Sequence, residues 1–178
     1  MASFATSYIP TGASQTTRAA DVATIQGSNF YSWYNQNEGS VFAQSTFNGA
    51  TAFLQRIGLC ISDGTSNNRI TSLISSGTAI RTIISSAGTA QADISTTISS
   101  TFNTAIKNAT AYKANDFANT VNNATVQTDT AGITPIVNQA WIGQTEAGGS
   151  SLMLNGTIKQ ISYYPQKLSD SVLKGLTA

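Results

Sequence analysis

Histidine is wholly absent from the chain. Without it there is no Ser-His-Asp triad, no imidazole metal site and no ordinary general base working near neutral pH. Charge is scarce as well: 10% of the residues are Asp, Glu, Lys or Arg and the net charge is +1, where an average globular chain carries roughly 25% charged residues. The nine Lys and Arg residues are scattered rather than clustered, which excludes the basic footprint that a nucleic-acid backbone or an anionic membrane surface requires. The single cysteine, Cys60, has no second cysteine to pair with. It sits in the apolar alternation Leu59-Cys60-Ile61 and reads as a small buried side chain. No apolar run approaches the roughly 18 residues of a membrane span, and the start, Met1 to Thr6, has neither the basic nor the apolar part of an export signal. The expectation is a chain made in the cytoplasm without a signal peptide and not inserted in a membrane. The acidic residues stand singly, with no two within five positions, so no strand carries the pair of carboxylates about 5 Å apart that retaining glycoside hydrolysis uses. The chain is therefore read as not an enzyme.

What fills the space is Ser, Thr, Asn, Gln, Ala and Gly, and the surface is expected to be rich in hydroxyls and amides. The 178 residues suit one domain, 1–178, and 40% hydrophobic content is enough for a core. Turn signals recur at the spacing of an all-β sandwich: Gly12, Gly27, Gly39, Gly49, Asp63-Gly64, Gly77, Gly88, Asn122-Asn123, Gly132, Gly148-Gly149 and Asn155-Gly156. Between them, 41–47, 54–61, 69–74, 79–85, 91–98, 107–113 and 140–143 read as strands. The middle third, with Ile74-Ser75-Ser76, Ile84-Ser85-Ser86 and Ile98-Ser99-Ser100, is a meander of antiparallel strands rather than a repeat. Its density of Thr and Ile opposes a helix over 89–110. At the end, Asn155-Gly156 is a hairpin signal, Ile158 and Ile161 to Tyr164 a β-rich run, Pro165 a stop, and Ser169 the cap of a short helix through Leu176.

That last unit resembles the final strand and trailing helix of concanavalin A-like, laminin-G-like jelly-roll domains, in the version carried by bacteriophage tail-fibre and other virion proteins. Ser7-Tyr8-Ile9-Pro10-Thr11, Thr17-Arg18-Ala19-Ala20-Asp21-Val22 and Phe30-Tyr31-Ser32-Trp33-Tyr34-Asn35-Gln36-Asn37-Glu38-Gly39 are similar to the opening segments of that family. Ala111-Tyr112-Lys113-Ala114-Asn115-Asp116-Phe117 is similar to one of its middle strands. The resemblance implies an all-β antiparallel sandwich with one short C-terminal helix. It also implies a non-enzymatic module of the virion surface that binds bacterial cell-surface carbohydrate in host recognition. The alternative it leaves is a structural or decoration module packed against other virion proteins, and a glycan-degrading enzyme is the remote third. Virion fibres imply a homo-oligomer, a trimer being the common case.

For a neutral protein to hold a neutral sugar, aromatic faces stack on the ring while amides and carboxylates bond its hydroxyls. The densest such set runs from Asn29 to Glu38, so Tyr31, Trp33, Tyr34, Asn35 and Glu38, with Arg69 as a hydrogen-bonding partner, are the candidate carbohydrate contacts. The competing reading has Phe30, Trp33 and Tyr34 plugging one end of the sandwich while the amides satisfy a loop. No cofactor is implied. Should Ca2+ be bound, Asp63 with Asn67, or Asp116, are the oxygen donors available, although none sits in a recognised loop and an Asp-Gly turn needs no ion.

Overall fold

The computed structural model describes residues 22–48, 55, 57–100, 102–144 and 152–178. The segments 7–11 and 17–21 and the turns at Gly12, Gly49 and Gly148-Gly149 lie outside the described residues, as does Leu54 at the start of one expected strand. The described elements are β1 (Thr24–Gln26), α1 (Ser28–Tyr31), β2 (Glu38–Phe47), β3 (Leu59–Ser62), β4 (Arg69–Ser76), β5 (Ala79–Ser86), β6 (Thr89–Thr97), β7 (Ala105–Lys113), β8 (Phe117–Val121), β9 (Gln127–Asp129), β10 (Gln139–Ile142), β11 (Gly156–Tyr164) and α2 (Asp170–Leu176). They form two antiparallel sheets: six strands in the order β1-β10-β3-β4-β5-β6 and five in the order β11-β2-β7-β8-β9. This is a jelly-roll sandwich with a short C-terminal helix, as the sequence implies. A single helical turn, α1, is added near its start.

Local chemistry sets the meander. Ser76 pairs with Ala79 around Gly77 and Thr78, and Ser86 pairs with Thr89 around Ala87 and Gly88, both at positive φ. Two central residues with positive φ give the turn whose twist matches that of the flanking strands. The segment 111–117 is not one strand. β7 ends at Lys113, Asn115 takes a φ of 59°, Asp116 N–H donates to the Lys113 carbonyl at 2.9 Å, and β8 begins at Phe117. Asn tolerates the left-handed conformation that such a turn needs. The glycine of Asn155-Gly156 is not the hinge of a local hairpin either. β11 pairs with β2, far back in sequence, and a Cβ on Gly156 would overlap the Thr46 carbonyl oxygen. Close backbone approach, rather than a turn, makes that residue glycine.

Side chains alternate across each strand, and the inner faces meet in two apolar clusters. One contains Phe30, Val41, Leu59, Ile61, Ile70, Ile84, Tyr112 and Phe117; the other contains Phe47, Ile57, Ile74, Ile80, Ile106 and Val121. Between them the same strands place polar residues: Ser72 between Ile70 and Ile74, Thr82 between Ile80 and Ile84, Asn119 between Phe117 and Val121. Ser72, Thr82, Thr96, Asn108, Thr110 and Asn119 are all buried. They satisfy one another across the sheets: Ser72 Oγ lies 2.8 Å from Thr82 Oγ1 and 3.1 Å from Thr110 Oγ1. Asn119 Nδ2 donates to Asn108 Oδ1 at 2.8 Å and Thr96 Oγ1 donates to Asn119 Oδ1 at 2.9 Å. The hydroxyl and amide richness expected of the surface thus also fills a belt through the core, possible because every member finds a partner. A third cluster lies outside the five-stranded sheet, where Leu173 of α2 is buried on Phe42, Ala109, Ala111 and Ala118.

Candidate functional site

The candidate contacts from Tyr31 to Glu38 gather at one end of the sandwich. Gly27, at φ 60°, turns the chain into α1, whose single turn is held by Tyr31 N–H donating to the Gly27 carbonyl at 3.1 Å. Successive residues of a helical turn diverge by about 100°, so Phe30 goes inward and is fully buried, while its neighbour Tyr31 is 61% exposed. Phe30 is the hub: its ring stacks on Tyr34 at 4.6 Å and meets the edges of Trp33 at 5.1 Å and Tyr31 at 5.5 Å. Trp33 in turn packs edge-on against Tyr163 of β11 at 4.7 Å.

Under these rings lies a knot of phenols. Tyr112 Oη donates to the Asn35 carbonyl at 2.8 Å and lies 2.8 Å from Tyr163 Oη, which accepts from Asn35 N–H at 2.9 Å. Gly39 makes room for it: a Cβ there would sit 2.6 Å from Tyr112 Oη and 2.7 Å from Tyr163 Oη. Gly39 therefore lies inside β2 and serves close approach, not the turn its sequence position suggests. The Tyr34 hydroxyl is buried beside the pair and has no hydrogen-bond partner among the described residues. Burial, first of all, pushes the ionisation of Tyr34, Tyr112 and Tyr163 upward.

Trp33, Tyr34 and Asn35 are thus engaged with the core; Tyr31 is the aromatic ring displayed to solvent. Asn35 also donates from Nδ2 to the Pro165 carbonyl at 2.8 Å. Glu38 Oε2 accepts from Lys167 N–H at 3.3 Å and lies 3.7 Å from Lys113 Nζ. Arg69 is not brought to this cluster. It opens β4 opposite Ser62 and Ser85, on the reverse side of the strand from Ile70, whose side chain joins the Phe30 core.

The candidate metal donors are also placed. Asp63 Oδ1 accepts from Thr65 N–H at 2.9 Å and Thr65 Oγ1 at 2.7 Å, and Oδ2 accepts from Asn68 Nδ2 at 2.8 Å. Burial opposes its charge, but these bonds outweigh that and hold the carboxyl below its usual range. Asn67 gives its carbonyl to Gly88 N–H at 3.0 Å, tying this loop to the β5–β6 turn. Asp116 is elsewhere, 2.8 Å from Lys167 Nζ, an ammonium it shares with Asp170 at 3.7 Å. Among the described residues no three Cys, Asp or Glu side chains gather as a metal would need.

Sequence reasoning missed three features. Tyr112 and Tyr163 complete the aromatic end from distant strands, which no local pattern announces. Gln36 clamps the loop before β10, accepting from Val137 N–H at 3.3 Å and donating to the Pro135 carbonyl at 2.5 Å. Arg81 of β5 grips Asp93 of β6 with two parallel bonds, one of them Nε to Oδ1 at 2.6 Å and the other Nη2 to Oδ2; their diagonal placement, with Arg81 opposite Ser95 and Asp93 opposite Ile83, is invisible without the hairpin.

No family model matches the chain, and no curated protein matches it in sequence. Solved structures do match in fold. The IT-sialidase CBM40 of Ruminococcus gnavus bound to α2,3-sialyllactose superposes with a TM-score of 0.68 at 15% identity, covering 81% of this chain and 84% of that one. The NanB sialidase of Streptococcus pneumoniae, as its K499G mutant, gives 0.67 at 16% identity over 85% of this chain but 26% of its own length. A heptameric SAP-like pentraxin from Limulus polyphemus gives 0.57 at 12% identity, covering 80% of this chain and 70% of that one. The chain thus has the jelly-roll β-sandwich fold of lectin-like proteins, shared with a sialidase carbohydrate-binding module.

Proposed function

We propose that the chain is a non-catalytic carbohydrate-binding module, carried on a bacteriophage tail fibre or another virion appendage, that docks on a bacterial cell-surface glycan. The observation that carries the binding reading is the match, over most of both chains, to a module whose structure holds sialyllactose. Two features of this chain support it. Exposed Tyr31 offers a ring face on a rigid base, because Phe30 anchors α1 in the core. The surrounding Asn29, Ser32 and Asn37 offer neutral hydrogen-bonding groups, which suits sugar hydroxyls better than ionic ligands. The virion setting rests on the resemblance of the sequence blocks. In this reading Tyr31 makes the stacking contact, Glu38 and Asn35 border it, and Trp33 and Tyr34 support it from below. Arg69 belongs to a separate face. Weak single sites call for several copies, so a homo-oligomer, such as a fibre trimer, suits the role.

The second reading, a structural module packed against other virion proteins, draws on the same geometry. Trp33 and Tyr34 bury rings that a ligand would otherwise meet. An array of bacterial polysaccharides separates the two: the binding reading expects retention of defined glycans with no reducing ends released. A blank array would leave the packing role, and released reducing ends would make the chain an enzyme.

A further inference from the structure

The loop from Thr130 to Asn138 is pinned in three places. Asn115 N–H donates to the Gly132 carbonyl at 2.9 Å, and Gly132 N–H donates back to Asn115 Oδ1 at 3.1 Å. Ile133 N–H donates to Gln91 Oε1 at 3.1 Å. Gln36 holds both neighbours of Ile136, donating to the Pro135 carbonyl at 2.5 Å and accepting from Val137 N–H at 3.3 Å. Val137 turns inward and joins the Phe30 cluster. Ile136, fixed between the two bonds of Gln36, stays 78% exposed, more than any other large hydrophobic side chain among the described residues. A side chain held rigidly in water forgoes the stabilisation that burial would give it. A ligand laid against it recovers that stabilisation.

This isoleucine stands at the end of the sandwich that displays Tyr31. Gln26 and Gln139 are register partners on neighbouring strands; α1 leaves β1 just after Gln26, and Ile136 comes just before Gln139. Tyr31 is next in sequence to Phe30 and Ile136 is next to Val137, and Phe30 and Val137 share one buried cluster. Neither segment, Gly27 to Asn37 or Thr130 to Asn138, contains a charged residue. We infer that Ile136 is a second wall of the site built on Tyr31, and that the sugar residue held there carries a methyl group, as acetamido and 6-deoxy sugars do. An aliphatic side chain has no hydrogen-bonding group, so a sugar hydroxyl pressed against it loses water and gains no partner, whereas a methyl group gains by burial. Tyr31 takes the ring face, Asn29 and Asn37 the hydroxyls, and Ile136 the methyl. Gln36 is a positioning residue: it fixes Ile136 before the ligand arrives, which removes a cost of ordering from binding. The inference rests on the carbohydrate-binding reading and names the class of sugar for that same site.

Binding of the full chain to matched pairs of immobilised oligosaccharides tests it, the members of a pair differing in their terminal sugar. The pairs are N-acetylglucosamine and glucose, N-acetylgalactosamine and galactose, L-rhamnose and L-mannose, and L-fucose and L-galactose. The wild type is expected to prefer the methyl-bearing member of at least one pair by about fourfold, the worth of one buried methyl group. The first two pairs report an acetamido methyl and the last two a 6-deoxy methyl. Val172→Ala, which trims an exposed aliphatic side chain on α2, should keep the preference. Ile136→Ala and Ile136→Asn should bind both members of that pair equally at an unchanged melting temperature, while Tyr31→Ala should weaken both members alike. A wild type that binds sugars without preferring a methyl-bearing member, or a preference that survives both Ile136 variants, overturns the inference and leaves the site at α1 standing. A wild type that binds neither these sugars nor any bacterial polysaccharide overturns the carbohydrate-binding reading, and the inference with it.

Discussion

Gly39 shows how one residue ties the candidate site to stability. With two phenol oxygens where its Cβ would stand, Gly39→Ala must push Tyr112 and Tyr163 apart, and overpacking of this kind costs about 1–3 kcal/mol. A urea titration should show that loss, with Tyr163→Phe, which keeps the ring, losing less. Asn119 is the matching case in the core. It joins Thr96, Asn108 and Thr110, so Asn119→Ala leaves buried partners unsatisfied, at about 1–3 kcal/mol for each group stranded. The titrating groups set the pH range. Asp93, held low first by its bond to Arg81, and Asp63, held low by Thr65 and Asn68, bind protons more readily when unfolded. Their contribution is present above the ordinary carboxyl range near pH 4 and fades as pH falls through it. The buried tyrosines have raised ionisation in the fold, so their contribution is full below about pH 10 and is lost above it as the unfolded chain ionises. Melting temperature against pH should therefore form a plateau falling at both ends, with Asp93→Asn flattening only the acid side. A maximum at either extreme would contradict these assignments.

At the scale of elements, α2 gives the sharpest test. Leu173 is buried against Ala109, Ala111 and Ala118, so Leu173→Ala should cost about 2–5 kcal/mol. Ser169 occupies the cap position, yet its side chain makes no capping bond to the helix and lies 3.1 Å from Ser171 Oγ instead. Ser169→Ala should then cost a few tenths of a kcal/mol rather than the roughly 1 kcal/mol of a working cap. The cap was legible as a residue type but not as a bond, because a serine hydroxyl has other partners within reach. The β4–β5–β6 meander was legible throughout, since its turns carry small residues at even spacing and its strands carry β-branched ones. β8 was hidden: Ala111 to Phe117 looks like one strand because an Asn, not a Gly, makes the turn within it. β1 and β9 are too short to leave a periodic trace. The polar belt was unreadable because Ser, Thr and Asn announce water unless their partners on the facing strands are known. Of the candidate contacts, the aromatic density of Phe30 to Tyr34 was visible, but the inward or outward choice for each ring depends on Tyr112 and Tyr163, which arrive from other strands.

For the whole molecule, a surface with few charges of mixed sign should recognise its partner without electrostatic steering. Glycan binding is expected to change by less than about threefold between about 50 and about 500 mM salt; a collapse with salt would point to an ionic ligand. Trp33→Ala, which removes contacts to Phe30, Tyr34 and Tyr163, should lower the melting temperature as well as any binding. Tyr31→Ala separates the two, because its ring is exposed and its aromatic contact among the described residues is with Phe30. The most direct test is a polysaccharide array probed side by side with the wild type and Tyr31→Ala, with melting followed in parallel. An exposed stacking contact of about 1 kcal/mol beyond its area predicts that the wild type binds defined glycans and that Tyr31→Ala binds them about tenfold more weakly at an unchanged melting temperature. Equal binding by the two proteins would contradict the placement of the site at α1, and no glycan bound by the wild type would contradict the carbohydrate-binding role itself.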